Sequence, residues 1–198
     1  VREAALNPIF DAAVTDAEPV GRREIVSLDK CNVCHDTLAL HGGQRFVIEE
    51  CVICHNPLET DEAVRPPDAG EPESVHLKWM IHRIHTGEEL VSDFTVYGFR
   101  GSVHNYNEVR YPGDLRNCMA CHVDESYTLP LPDVALPTHR PNSPYFLDDF
   151  IPPATASCIS CHDAEYAAAH AYVNIAPFGE ACAACHGEGR EFSTTRVH

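Results

Sequence analysis

The stretch Cys31-Asn32-Val33-Cys34-His35 sets the pattern on which the chain is built. Its C-x-x-C-H spacing occurs five times, and the copies are numbered here as motifs one to five: Cys31–His35, Cys51–His55, Cys118–His122, Cys158–His162 and Cys182–His186. Residues i, i+3 and i+4 of a helical turn share a face, so two thiols can bond to a haem while the histidine reaches its iron. This spacing is the attachment signature of c-type haem.

The motifs therefore predict five covalently attached haem c groups, each with an anchor and a proximal ligand. The predicted attachment residues are Cys31, Cys34, Cys51, Cys54, Cys118, Cys121, Cys158, Cys161, Cys182 and Cys185. The predicted proximal iron ligands are His35, His55, His122, His162 and His186.

A zinc ion is the alternative to haem at these cysteines. Cys34 and Cys51 are separated by 16 residues, and Cys161 and Cys182 by 20, which is near the spacing of zinc ribbons. A ribbon would leave the pair in motif three without a partner pair. It would also give no reason for a histidine after every second cysteine, so the haem interpretation is favoured.

The composition agrees with a haem-filled interior. The five pairs use all ten cysteines and leave none for disulfides. The 198 residues, shared among five haems, leave about 40 residues each, too few for an ordinary aliphatic core around every haem. We therefore expect a mostly irregular fold with short α-helices and a small β-hairpin, a multihaem cytochrome c pentahaem domain with the haems as its core.

The charge and hydropathy of the chain limit its partners and location. The net charge is −16, from 30 acidic and 14 basic residues, which disfavours nucleic acid. No apolar run approaches the roughly 18 residues of a spanning helix, so no direct membrane span is predicted. The sequence starts at Val1 without a secretory signal pattern. Because haem c is attached outside the cytoplasm, we expect an extracytoplasmic protein from which a leader or longer N-terminal region has been removed.

The chain has few signals for domain boundaries. Residues 1–24 carry no predicted haem ligand and are interpreted as a lead-in or arm, in which residues 4–14 could form a connecting strand. Residues 25–198 form the predicted pentahaem c-type cytochrome domain. Within it, residues 58–74 are acidic and rich in proline, which predicts an exposed loop.

Regular elements are predicted in three places. Apolar spacing predicts a helix over Leu77–His85 that stops at Gly87, with Glu73 or Ser74 as its cap. Residues 94–97 and 107–111 suggest a hairpin with His104 in its loop. Seven of the 15 prolines lie between residues 130 and 153, which predicts extended chain in that segment. A helix is expected over residues 157–170.

Distal iron ligands must come from the eight remaining histidines, because Met119 lies inside a motif and Met80 lies beside His82. The predicted distal ligands are His41, His82, His85, His170 and His198. His104 is the reserve, and His76 and His139 are interpreted as surface histidines. Since His82 and His85 lie one turn apart along one helix, they are expected to serve two different haems.

Several motifs occur in the order found in a known family. They are the five haem motifs, Leu40-His41-Gly42-Gly43, Cys54-His55-Asn56-Pro57, Met80-Ile81-His82-Arg83-Ile84-His85-Thr86-Gly87 and Tyr111-Pro112-Gly113. Over about residues 20–198 the chain resembles one pentahaem half of the outer-membrane decahaem cytochromes of metal-reducing bacteria (OmcA/MtrC type). The resemblance implies bis-histidine haems, and pentahaem domains that alternate with β-barrel domains. The motifs of this sequence account for one such pentahaem unit, and none of its segments is assigned to a β-barrel domain.

The resemblance also implies an extracellular multihaem cytochrome that conducts electrons to a metal oxide, a soluble metal or a partner cytochrome. It implies a location at the cell surface or outside the cell rather than in the periplasm. Expected partners are other multihaem cytochromes or copies of the chain itself, as in a cytochrome filament. A multihaem reductase with one open haem is the alternative. Pentahaem nitrite reductases typically carry a C-x-x-C-K motif, whereas every motif here ends in histidine, so an electron carrier is favoured over an enzyme.

Overall fold

A computed structural model describes residues 5, 7–143, 146 and 149–198 of the chain. The chain divides into two compact units. The first unit comprises Val1–Ile53 and Cys118–Tyr127, and the second comprises Cys54–Asn117 and Thr128–His198.

The helices are short. Those in the described part of the chain are α1 Leu28–His35, α2 Ile48–Cys54, α3 Leu77–Thr86, α4 Pro153–Ile159, α5 Glu165–Val173, α6 Ala183–His186 and α7 Thr194–Val197. Single turns of 3₁₀-helix lie at Gly87–Glu89, Phe99–Gly101 and Cys118–Ala120. The longest helix, α3, has ten residues, and none of the described helices combines the length and hydropathy needed to span a bilayer.

The strands pair only in twos. They are β1 Thr95–Tyr97, β2 Val103–Asn105, β3 Thr138–His139, β4 Phe150–Ile151, β5 Ile175–Ala176 and β6 Gly179–Glu180. They form three antiparallel pairs, β1 with β2, β3 with β4 and β5 with β6. The predicted fold class, mostly irregular with short helices and small hairpins, is confirmed.

The first unit is joined by backbone hydrogen bonds between distant parts of the sequence. Val26 and His122 form an isolated antiparallel bridge, and the N–H of Ser27 donates to Cys121 O at 3.2 Å. No described residue of this unit is buried. Of the predicted arm, residues 1–4 and 6 lie outside the described residues, and residues 7–24 contain no helix or strand.

The second unit has a polypeptide core of its own. Its centre is Trp79 on α3, which is only 1% exposed, and Phe94, which is fully buried. The buried cluster consists of Trp79, Phe94, Val96, Phe146, Ile151, Ala156 and Ile159. No sequence pattern predicted this cluster, to which α3, β1, β4 and α4 all contribute residues.

The structure places α3 as predicted, from Leu77, but corrects its cap. The cap position is occupied by His76, and neither Glu73 nor Ser74 caps the helix through its side chain. The hydroxyl of Ser74 instead accepts the N–H of His76 at 3.3 Å. Gly87 ends the helix as predicted, with φ of 48°.

The predicted hairpin has the wrong second strand. The chain reverses at Gly98, whose N–H donates to Ser102 O at 2.7 Å, so that β1 pairs with residues 103–105 and not with residues 107–111. His104 therefore lies in β2, opposite Val96, and not in a loop. Asn107 follows the strand, and its side-chain oxygen accepts the N–H of Phe94 at 2.6 Å.

Two other expectations are corrected. The helix predicted over residues 157–170 is two helices, α4 and α5, with the turn of motif four between them. The loop over residues 58–74 is partly buried because Asp61, at 3% exposure, anchors it. The Asp61 carboxylate accepts the N–H groups of Glu73 at 2.9 Å and Tyr97 at 3.0 Å.

Candidate functional site

The haem motifs form tight turns of one shape. In motifs three, four and five, the histidine N–H donates to the carbonyl oxygen of the first cysteine at 2.8–2.9 Å, and the second cysteine N–H donates to it at 3.2 Å. Motif one lies within α1, and motif two begins in α2. None of the ten cysteines, all of which are described, forms a disulfide. Both cysteines and the histidine therefore stand on one turn, as covalent attachment requires.

The donor groups do not form a bare-metal site. Among the described residues, no group of three or more histidine, cysteine, aspartate or glutamate side chains lies close enough to hold a metal ion. A zinc ribbon needs four such ligands around one ion. The zinc alternative therefore lacks its ligand cluster.

Three of the predicted ligand histidines donate their Nδ1 proton to a backbone carbonyl. The acceptors are Val75 O for His55, Ile81 O for His85 and Phe192 O for His186, each at 2.9 Å. A carbonyl can only accept, so the proton lies on Nδ1 and the lone pair on Nε2. An imidazole fixed in this tautomer presents Nε2 as a metal ligand.

Two further histidines reach the same state through serine hydroxyls. His82 Nδ1 lies 3.0 Å from Ser160 Oγ, and this hydroxyl donates its own proton to Ser157 O at 2.7 Å. The hydroxyl must then accept from His82, which places the proton on Nδ1.

The same relay supports His122 in the first unit. Its Nδ1 lies 3.0 Å from Ser126 Oγ, which donates to Ile25 O at 2.6 Å. Sequence reasoning missed both serines. A serine four residues after the motif-three histidine is a local signal that could have found Ser126, whereas His82 and Ser160, 78 positions apart, leave no such signal.

The second unit brings two predicted proximal histidines to two predicted distal ones. The rings of His162 and His198 have their centroids 5.6 Å apart, and those of His170 and His186 lie 6.2 Å apart. Two imidazoles that bind one iron from opposite sides, each at about 2 Å, would have ring centres about 6 Å apart. The spacing of both pairs thus fits one iron between two rings.

The other predicted distal histidines lie on α3 and in a turn. His82 and His85 stand one turn apart on α3, and the ring of His85 meets the ring of Tyr111 edge-on at 5.8 Å. His41, in the first unit, has φ of 51° and is followed by Gly42 at 81° and Gly43 at 76°. The backbone reverses there, as the two glycines predicted.

The three histidines that were not chosen as ligands have other surroundings. His104 is exposed on β2 with Nε2 3.1 Å from Ser102 Oγ. His139 stacks on Phe150 at 5.0 Å. His76 is not a fully exposed surface histidine, because it is half-buried and bonded to Thr138 Oγ1 at 2.8 Å, and its burial lowers its pKa to about 3.

Charged groups are buried beside the α3 histidines. Arg83, between His82 and His85, is 2% exposed, and its guanidinium lies 5.4 Å from the ring centre of Trp79. Burial lowers the pKa of Arg83, but a guanidinium starts so high that it stays charged. Arg140 lies 5.5 Å from the same indole ring and 3.5 Å from Glu73. The sequence analysis assigned no role to either arginine.

Lys78 is half-buried at the start of α3. Its ammonium donates to Leu136 O at 2.6 Å and Pro153 O at 3.2 Å. Burial lowers the pKa of Lys78 to about 8. The side chain thereby joins α3 to the segment that leads into motif four.

Most of the chain matches one known family. Residues 23–198 match the family described as "Outer membrane cytochrome MtrC/MtrF-like, domains II/IV". The chain belongs to this family. The suspected relationship to the OmcA/MtrC type is thereby confirmed, and this MtrC/MtrF-like chain is a multihaem cytochrome domain of an electron-transfer family, with covalently bound haem c.

A solved structure is similar to this MtrC/MtrF-like chain over most of its length. It is described as the crystal structure of the outer membrane decaheme cytochrome OmcA, with 28% sequence identity and a TM-score of 0.56. The similarity covers 91% of this chain and 24% of that one, so the chain spans about a quarter of the length of its relative. No curated protein sequence matches the chain.

Proposed function

We propose that this chain conducts electrons through five haem c groups, each held between two histidines, to an acceptor outside the cell. Haem c supplies an iron that takes up and releases one electron at a time. The chain supplies two cysteines and a proximal histidine per haem from the five motifs. The proposed distal ligands are His41, His82, His85, His170 and His198.

The observation that carries the proposal is the spacing of the histidine rings in the second unit. His162 with His198 and His170 with His186 each combine a motif histidine with a histidine outside the motifs, at 5.6 and 6.2 Å. Five predicted ligands, one of them the His186 of the second pair, also form Nδ1 hydrogen bonds. These bonds support the same role, because each places the lone pair on Nε2. Carbonyl and serine acceptors also fix each ring's orientation before it binds iron.

Two histidines on each iron favour electron transfer over substrate conversion. Two histidines that hold one haem would leave no coordination position of its iron open to a substrate. Imidazole on both sides also gives a lower reduction potential than a methionine–histidine pair. Residues that hold haems in this way act as a relay for electrons, and the five haems would pass them along the chain.

The proposed setting is the cell surface or the extracellular space. The solved relative is an outer membrane decaheme cytochrome, and this chain corresponds to about a quarter of it. We place the acceptor among metal oxides, soluble metals and partner cytochromes, and the partner among other multihaem cytochromes or further copies of this chain. The charge of −16 predicts that contact between copies strengthens as salt rises, because screening weakens their repulsion.

The test is a mass measurement combined with spectroscopy of the purified holoprotein. We expect the polypeptide mass plus five haems, only low-spin signals in the oxidised protein, and no ready binding of carbon monoxide after reduction. A stoichiometric high-spin signal would contradict the proposal and favour the reductase with one open haem. A mass with fewer than five haems would contradict the assignment of all five motifs.

A further inference from the structure

A buried ion pair lies beside motif four in the second unit. Arg83 on α3 and Asp163, directly after His162, approach to 3.7 Å between Nη2 and Oδ2. Their side chains are only 2% and 6% exposed. Taking two charges out of water is costly, and a buried pair rarely adds net stability over apolar residues of similar size. The pair therefore needs an explanation other than stability.

Hydrogen bonds hold each charge in place. Arg83 Nη2 donates to the carbonyl oxygen of Ser92 at 3.1 Å and to its hydroxyl at 3.0 Å. Asp163 accepts the N–H groups of Val91 at 2.9 Å and Ser92 at 2.8 Å, and the Ser92 hydroxyl at 2.6 Å. The carboxylate keeps these three donors even without Arg83. Either charge can thus be removed while the other retains partners.

The same helix touches the attachment cysteine of motif four. Thr86 lies one turn after His82 on α3, and its hydroxyl donates a proton to His82 O at 2.8 Å. Its oxygen lies 3.2 Å from Cys161 Sγ. Ser160, which precedes Cys161, accepts from His82. α3 and the turn of motif four therefore form one packed junction, and the ion pair lies within it.

We infer that Arg83 and Asp163 set the reduction potential of the haem attached at motif four. The inference rests on the proposed function, because it requires a haem at Cys158–His162. Reduction adds one electron to the haem, so a nearby positive charge favours the reduced state and a nearby negative charge favours the oxidised state. In a buried site these effects are screened far less than in water. The effect of each charge on the reduction potential therefore offsets the effect of the other.

The experiment measures the potential of each haem in the holoprotein. A redox titration with a chemical reductant, followed by NMR, gives a separate reduction potential for each haem. Magnetisation transfer from the thioether groups of Cys158 and Cys161 identifies the signals of the haem at motif four. The variants are Arg83→Met and Asp163→Asn, which remove one charge each and keep similar side-chain size. Arg110→Met is the matched control, because Arg110 also pairs with a carboxylate, Glu88 at 2.9 Å, but is 80% exposed.

We expect opposite shifts at the motif-four haem, and Arg83→Met also lowers the potentials of the haems that His82 and His85 serve, because Arg83 lies between these ligands on α3. Arg83→Met lowers the potential of the motif-four haem, and Asp163→Asn raises it, each changing the reduction equilibrium by about tenfold, which is about 59 mV for one electron. The double variant returns towards the wild type, and Arg110→Met changes nothing. If Arg83→Met fails to fold, a rise confined to this haem in Asp163→Asn supports the inference alone.

Shifts of the same sign in both single variants would overturn the inference, since they indicate a haem opened to water by a disrupted junction. Equal shifts at all haems would also overturn it. The haem count and spin state of each variant are measured in parallel. A missing haem at motif four in the wild type refutes the proposed function, whereas a present haem with unchanged potential refutes only this inference.

Discussion

The two units differ in what can hold them together. The second unit buries Trp79, Phe94 and Ile151 in one apolar cluster, to which α3 and α4 contribute residues. The first unit carries motifs one and three, yet none of its described residues is buried. Its halves are joined by backbone bonds and by Lys30, whose ammonium donates to Met119 O at 2.7 Å and His122 O at 2.6 Å.

This difference separates two ways of building one kind of domain. A hairpin and two helices can bury side chains against each other, so the second unit has a source of stability within the polypeptide. The first unit has no comparable apolar burial among its described residues, and under the proposed function the haems of motifs one and three would supply it. The expectation that the haems form the core therefore applies most strongly to the first unit.

The largest expected effect comes from removing one haem from each unit in turn. Cys31→Ala with Cys34→Ala prevents attachment at motif one, and Cys182→Ala with Cys185→Ala prevents it at motif five. We expect amides of the first unit to exchange at nearly the rate of an unstructured chain in the former variant, because nothing else buries that unit. The amides of α3 should stay protected in both. Hydrogen exchange followed by mass spectrometry measures this, and equal protection of both units in both variants would remove the distinction.

The next effect tests the core of the second unit. Trp79→Ala removes the largest buried side chain, and such truncations cost about 3–5 kcal/mol. Denaturant unfolding followed by far-UV circular dichroism measures the free energy of unfolding. The control is Phe10→Ala in the first unit, which is 88% exposed and should change that free energy by less than about 0.5 kcal/mol. A similar loss in both variants would contradict the assignment of a polypeptide core to the second unit alone.

A smaller effect compares one serine in each unit. Ser126→Ala and Ser160→Ala remove the hydroxyls that accept from His122 and His82. Loss of such a bond makes the ligand less basic, so the potential of the affected haem rises, by an amount equivalent to about 1 kcal/mol. Haem-resolved redox titration should show one shifted haem in each variant, and a different one in each. The same haem shifting in both variants would mean that His122 and His82 bind one iron.

The smallest expected effect is the acid sensitivity of the second unit. Burial lowers the pKa of folded His76 to about 3 from 6.5, so the unfolded chain takes up its proton first. Stability is therefore lost as the pH falls below 6.5, and the His76 contribution is gone by about pH 3. His76→Gln should reduce the loss of unfolding free energy between pH 7 and 5 by on the order of 1 kcal/mol after allowance for solvent screening. His104→Gln, an exposed histidine, is the control, and an equal change in both variants would assign the effect to charge alone.

Local patterns predicted the parts of the molecule that depend on local bonds. The C-x-x-C-H turns and α3 follow from spacing within a single turn of chain, and both are present. The second strand of the hairpin was misplaced because its position depends on the reversal at Gly98, where one hydrogen bond to Ser102 selects residues 103–105 as partners. Apolar residues at 107–111 gave the stronger signal, although tertiary packing places them elsewhere.

Contacts between distant residues lay beyond the sequence. Counting histidines selected a distal set but could not say that His198 meets His162 or that His170 meets His186. Nothing in the spacing of Arg83 and Asp163, 80 positions apart, predicts that they form an ion pair. The burial of Trp79 likewise depends on residues from four separate elements. Such contacts depend on how the chain returns to itself, which no local period specifies.

The bond from Lys30 to the third haem motif has a consequence for the order of assembly. Residues 1–53 and 118–127 form one unit, but residues 54–117, which lie between these two segments in the sequence, belong to the other. During synthesis and export, motif one therefore emerges long before its structural neighbour exists. Closing so long a loop is slow compared with forming a local turn. Motif one thus stays without its partner segment over that interval, so the discontinuity of the unit gives time for haem attachment before Lys30 and motif three come together.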